Sequence, residues 1–223
     1  MDCCTHVQGL NSIFDERTAR GEAERYWKKG LDKHTRALVA AVQAHGVDGA
    51  SLLEVGGGIG GVHAELLKRG AARATDVDIS AAYIAAAQSV ADRLGIRERV
   101  DYRLADFIRI ADDLPAADVV IMHRVVCCYP DMPGLVTAAA RHAVRRLVLS
   151  FPHGAWYIRL GLRIVNTGMW ARRCGVRFYV HTPSAIRAVA AAAGLTLVQD
   201  TLSWPWRIAL FERTGECSVI HGA

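Results

Sequence analysis

The chain's 223 residues suffice for one substantial domain and are few for two. Hydrophobic residues at 52% against charged residues at 22% supply a packed core and exclude a disordered chain. The formal charge of +5 is spread along the chain without the concentrated basic stripe of a nucleic-acid binder, so no nucleic-acid partner is expected.

The start "MDCCTHVQGLNSIFDERTARGE" lacks a basic region followed by an apolar one, and no apolar run reaches the ~18 residues of a membrane span. A cytoplasmic location is expected. The cysteines form two adjacent pairs, Cys3-Cys4 and Cys127-Cys128, with Cys174 and Cys217 apart. Without C-x-x-C spacing, free thiols and no metal are the expectation. The competing reading has Cys3-Cys4 folding over the rim near Cys127-Cys128, where four thiols would hold a soft metal or metalloid.

In chain order, Phe14 to His45 reads as helical, with Leu38, Val39 and Val42 at helical spacing. "ASLLEV" is a buried strand running into glycines. "GGVHAELLKRGA" is a helix stopping at Gly70. "ARATDVD" is a second strand, and "SAAYIAAAQSVADRLGI" a helix capped by Ser80 and closed by Gly95. "RVDYRLAD" and "AADVVIMHRVV" are the third and fourth strands, "PGLVTAAARHAV" a helix, and "RRLVLSFP" the fifth strand. An apolar, arginine-studded insertion follows, then a helix begun by Pro183 and ended by Gly194. Two strands joined around Trp204-Pro205 close the chain as an antiparallel hairpin.

Strands separated by helices of this length form a parallel sheet, with ligands at the strands' carboxyl ends. "LLEVGGGIGG" lies at the first such end and satisfies two templates. Gly56, Gly58 and Gly61 spell the dinucleotide fingerprint; Gly56, Gly58 and Gly60 spell G-x-G-x-G with Glu54 two residues ahead. Three features weigh against a pyrophosphate. Glu54 would repel it, a whole helical segment precedes the loop, and the terminal hairpin is foreign to most dinucleotide domains. A nicotinamide-dependent oxidoreductase remains the rival enzyme, and a non-catalytic binding protein the rival from another class.

"LLEVGGGIGG", "ATDVDIS", "LADF" and "AADVVIMHRVV", in that order before a final helix and hairpin, resemble the class I S-adenosylmethionine-dependent methyltransferases over Ala50 to Arg213. The resemblance implies an α/β, Rossmann-like fold: a seven-stranded, mostly parallel sheet with the last strand reversed and helices on both faces. It divides the chain into a helical segment at 1–49 covering the site, the catalytic domain at 50–213 with a lid-like insertion at 154–180, and a tail at 214–223. The implied cofactor is S-adenosyl-L-methionine, which carries a cation and no phosphate. Gly56, Gly57, Gly58 and Gly60 would let the backbone approach it, although close packing explains Gly57 and Gly61 equally well. Glu54 is assigned to the turn and the methionine end. Asp78, 22 residues after Gly56, would accept the ribose hydroxyls beside Ile79, with Asp76 as competitor. Asp106 would accept from the adenine amino group, with Ala105 and Phe107 packing there; helix capping is its alternative role. His123 and Arg124 would flank the reactive end, His123 as a candidate base or a wall residue.

The methyl acceptor is expected to be a small molecule, apolar or anionic, with O-methylation favoured. Its candidate contacts are Tyr129, Asp131, Trp156, Tyr157, Tyr179 and His181, with His153 as the candidate base. No acidic trio suggests magnesium, and no N-P-P-Y suggests amino methylation of nucleic acid. The segment from Gly154 to Val180 reads three ways: a lid, a helix on a membrane surface, or a core helix with snorkelling arginines. "YVHTPSAIRAVAAAAGL" is similar to the same region of magnesium-protoporphyrin methyltransferases, which esterify a propionate on a flat apolar ring.

Overall fold

Four strands whose residues alternate between two apolar faces set the architecture of the computed structural model, which describes residues 9–172 and 175–214. They are β1 (Ser51–Val55), β4 (Ala117–His123), β5 (Ala143–Pro152) and β7 (Trp206–Arg213). Leu53, Val120, Met122, Leu149 and Phe211 pack into one layer with α6 (Met132–His142) and α8 (Pro183–Ala192). Leu52, Val119, Ile121, Val148 and Leu210 pack into the other, against α2 (Lys33–Ala44) and α3 (Gly61–Lys68). Central strands buried on both sides read as continuous hydrophobic runs for this reason.

The outer strands are β2 (Arg73–Asp78), β3 (Val100–Leu104) and β6 (Leu195–Ser203), and the sheet order is β3-β2-β1-β4-β5-β7-β6. The pairs β1–β2, β1–β4, β2–β3 and β4–β5 are parallel; β7 runs antiparallel between β5 and β6. The chain direction around the sheet therefore reverses between β1 and β4, which opens a crevice at their carboxyl ends. The hairpin turns at Trp204-Pro205 as expected, and β7 inserts inside β6 instead of lying at the edge.

Helix signals match closely. Ser80 caps α4 (Ala81–Leu94), Gly95 closes it in the left-handed region, and Pro183 opens α8 behind a Thr182 cap. The helical segment expected from Phe14 to His45 is built of two helices. Gly30, at φ 70°, ends α1 (Glu16–Lys29), and Asp32 caps α2 through bonds from the His34 and Thr35 amides. A left-handed glycine and a carboxylate cap together override the continuous periodicity. The insertion forms α7 (Trp156–Ala171), none of whose residues is buried, so the core-helix reading falls.

Candidate active site

A cavity of about 770 Å³ fills the crevice, within the usual range for small-molecule sites of ~300–1,000 Å³. Its floor is the loop after β1. Gly56, Gly58 and Gly60 all have positive φ, and the Gly58 amide donates to Asp78 Oδ2 at 3.1 Å. Gly57 is required for a different reason: a Cβ there would fall 2.7 Å from Asp76 Cγ. Close packing is thus one observed role of Gly57, which also lines the cavity.

Asp78 and Asp76 part company. Asp78 ends β2 on the cavity wall, with Oδ1 accepting from the Ser80 amide at 2.8 Å. Each of its oxygens keeps capacity for a second donor, as a vicinal diol requires. Burial raises its pKa, opposed by the Ser80 and Gly58 amides. Asp76 is fully buried behind Gly57, and neither oxygen has a hydrogen-bond partner among the described residues. Burial holds it well above the usual carboxylate range, with the His63 charge opposing and Glu54 adding to the rise. Asp76 lies beneath the loop and does not line the cavity.

Glu54 borders the cavity yet spends Oε2 inside the protein, accepting from the His63 amide at 3.1 Å and from His63 Nδ1 at 2.7 Å. Both side chains are only 1% exposed. Burial lowers the pKa of His63, but the Glu54 bond and charge outweigh that and the net shift is upward. The pair anchors the first turn of α3 to β1. His63 was invisible to motif reading because its partner lies nine residues back on another element.

Beyond the end of β3 Asp106 caps α5 (Phe107–Ile110) through the Ile108 amide at 3.2 Å, and Tyr129 Oη donates to the same oxygen at 3.4 Å. The capping role is therefore real, and Asp106 lines the cavity as well, with Ile79, Ala105 and Phe107. The Phe107 ring is buried against His142.

His123 and Arg124 belong to a closed ring of bonds. The Arg124 amide donates to Ser150 Oγ at 2.9 Å, and that hydroxyl donates to His123 Nδ1 at 2.7 Å. Thr35 Oγ1 donates to Asp32 Oδ2 at 2.8 Å, so it accepts from His123 Nε2–H at 3.0 Å. Arg124 Nη2 closes the circuit on Asp32 at 2.9 and 3.1 Å. Burial, reinforced by the Arg124 charge, pulls the His123 pKa down to about 3. Burial pushes Asp32 the other way, but the Thr35 bond and Arg124 charge prevail and hold it well below the carboxylate range. Both ring nitrogens of His123 are thus engaged within the protein where it lines the cavity. Arg124 adopts φ 64°, sparsely allowed for a side chain of its size, and its guanidinium sits 5.2 Å from the Trp206 ring.

The expected acceptor residues separate into two groups. Tyr129, Asp131 and Tyr179 line the cavity, Asp131 also capping α6. His181 stands behind them, stacked on Tyr179 at 5.9 Å and bonded to the Tyr129 carbonyl. His153, Trp156 and Tyr157 are not brought to the cavity; His153 Nε2 and Tyr157 Oη pair at 3.1 Å on the outside. Arg177, Cys128, Arg25, Tyr26, Asp32 and Thr35 also line the wall; none was singled out as a contact from the sequence, although the helical segment before β1 was expected to cover the site and Cys127-Cys128 to lie near its rim. Charge clustering before Arg36 was the available signal.

Cys127 and Cys128 follow β4 with their sulfurs 3.8 Å apart. Cys3, Cys4, Cys174 and Cys217 lie outside the described residues, and no group of three or more metal-ligating side chains occurs among the described ones.

An α/β sheet of this order, with an internal antiparallel strand and a glycine loop at the switch point, defines the class I methyltransferase fold. The profile of a family described as "Methyltransferase domain" matches residues 53–146. Residues 53–146 thus match a methyltransferase domain, and the fold of the chain is that of the class I S-adenosylmethionine-dependent methyltransferases. It is similar to magnesium protoporphyrin IX methyltransferase from Synechocystis PCC 6803, solved with bound S-adenosylhomocysteine, at 20% identity and TM-score 0.71, covering 92% of this chain and 98% of that one. The same enzyme with S-adenosylmethionine bound gives TM-score 0.69 at 20% identity, covering 96% and 98%. An O-methyltransferase family 2 protein from Planctomyces limnophilus, in complex with apigenin, gives 0.67 at 18% identity, covering 87% and 61%. No curated protein sequence matches.

The cavity residues fit the donor. Gly56 and Gly58, both at positive φ, face it, Asp78 keeps free acceptor capacity, and the carboxylates of Glu54 and Asp78 border the glycine loop. When bound, S-adenosylmethionine supplies an activated methyl group on a sulfonium leaving group.

Proposed function

We propose that the protein transfers the methyl group of S-adenosylmethionine to a carboxylate oxygen of a small anionic molecule with an apolar body. The observation that carries the reading is the wall beyond the donor residues. Arg177, Tyr179 and Tyr129 line it, and the one histidine lining the cavity among the described residues, His123, has both ring nitrogens bonded. A neutral hydroxyl acceptor needs a base, whereas a carboxylate attacks as it stands and needs only alignment. Arg177 suits an anion, and the two tyrosines suit an apolar body.

In this reading Glu54, Asp78 and the glycine loop hold the donor, Asp106 meets the adenine, and Tyr129 and Tyr179 guide the acceptor. The Synechocystis protein named above supports this reading by the overall likeness of its chain.

The test is transfer of labelled methyl groups into pools of small carboxylic acids, with alkaline hydrolysis of the product. Labelled methanol released by alkali is the expected result. A product stable to alkali, as an ether or N-methyl compound would be, overturns the carboxylate assignment. Calorimetry with S-adenosylhomocysteine against NAD(H) and NADP(H) separately tests the donor.

A further inference from the structure

Helix α7 has a row of large apolar side chains facing away from the protein. Ile158, Leu162, Asn166 and Met169 form its half-buried side. Trp156, Leu160 and Ile164, at i, i+4 and i+8, point outward and are 74%, 50% and 67% exposed. Trp170 near the far end is 79% exposed. The patch continues onto the β6–β7 turn, where exposed Trp204 donates to Tyr157 Oη. A contiguous apolar strip of this kind marks a surface meant to be covered.

Charge decides what covers it. From Met132 to Gln199 the chain has nine arginines and no aspartate, glutamate or lysine. Arg159 and Arg163 follow the strip along one border. A second copy of the chain would bring like charges together across the contact. A bilayer with anionic headgroups accepts both features: arginines at the phosphates, and leucine, isoleucine and tryptophan at the acyl boundary. At 16 residues α7 is about 24 Å long and too short and too polar to span, but suited to lie in the interface.

We propose that α7, with Trp204 beside it, docks the protein on the surface of an anionic phospholipid membrane. The geometry ties this surface to the cavity. Asn166 donates to the Phe178 carbonyl and accepts from the Phe178 amide, both at 2.8 Å, and the flanking Arg177 and Tyr179 line the cavity wall. The docking helix and the acceptor wall are therefore held as one piece.

Flotation of the full chain tests the proposal without any turnover, so its outcome is independent of the acceptor. The probes are phosphatidylcholine vesicles with and without phosphatidylglycerol, and the lipid titration gives a partition coefficient. Binding to the anionic vesicles and much weaker binding to the neutral ones is expected. Arg159→Gln/Arg163→Gln should reduce partitioning about fivefold per charge, on the order of 25-fold together. Leu160→Ser/Ile164→Ser should cost on the order of tenfold per side chain. All four positions are exposed, so thermal melts should be unchanged; if the serine variant melts early, the glutamine variant carries the test. No binding, equal binding to both vesicles, or partitioning insensitive to both variants overturns the proposal. So does a solution dimer that Ile164→Ser dissociates, because the occupant would then be a second copy.

Discussion

Exchanging one oxygen for nitrogen at Asp78 and at Asp76 separates two carboxylates two residues apart on β2. Asp78 already accepts one amide on each oxygen, from Ser80 at 2.8 Å and Gly58 at 3.1 Å, and turns its remaining capacity to the cavity. A ribose diol would add two hydroxyl bonds to a charged acceptor, each contributing ~1.5 kcal/mol or more. Asp78→Asn removes the charge, loses one acceptor and aims an amide at a backbone N–H. A loss of about 3 kcal/mol in donor affinity follows, on the order of a hundredfold in Kd. Asp76 is buried without a hydrogen-bond partner among the described residues and does not line the cavity. Asp76→Asn should leave Kd for S-adenosylhomocysteine within about threefold, since the side chain lies outside the cavity and the amide keeps its shape. Titration calorimetry measures both, with thermal melts confirming the fold. If Asp78→Asn binds within threefold of wild type, or Asp76→Asn is the more damaging, the assignment of the ribose carboxylate is wrong.

Three other outcomes follow from single contacts. Gly57→Ala places a Cβ 2.7 Å from Asp76 Cγ, and overpacking of this kind should cost ~1–3 kcal/mol, seen as a lower midpoint in urea. His123, neutral in the folded state with a pKa of about 3, takes up a proton on unfolding near pH 6.5. Its stabilisation is therefore complete above pH 6.5 and is lost as pH falls toward 3. The stability difference between wild type and His123→Asn should shrink by up to ~1.4 kcal/mol per pH unit in that window, and a flat difference would refute the ring's neutrality. Arg177→Gln should raise KM for a carboxylate acceptor at least tenfold while leaving S-adenosylhomocysteine affinity unchanged; a loss of donor affinity would move Arg177 to the donor end.

Much of this was legible locally. The glycine loop, the strand-ending Asp78, the Ser80 cap, the Pro183 helix start and the reversed hairpin all declare themselves within a few residues, because turns, caps and buried strands are governed by short-range chemistry. The order of motifs along Leu52 to Arg124 carried the donor assignment for the same reason. Asp106 caps a helix and lines the cavity at once, since a capping carboxylate at a strand end also faces the crevice.

What the tertiary structure alone decided is which of several similar residues meet. His123, His153 and His181 look equivalent in the sequence; one is locked between Thr35 and Ser150, one pairs with Tyr157 outside, and one stands behind Tyr179. Likewise Asp76 and Asp78 share one face of β2 and differ in that Gly57 covers the first while the second, at the strand's end, reaches the cavity, and α7 is distinguished by having nothing among the described residues laid over it. Composition and periodicity state that a side chain is to be buried, bonded or exposed. Its partner is chosen by chain reversals and crossovers that bring residues 35, 123 and 150 to one point, and no short stretch of sequence contains that information.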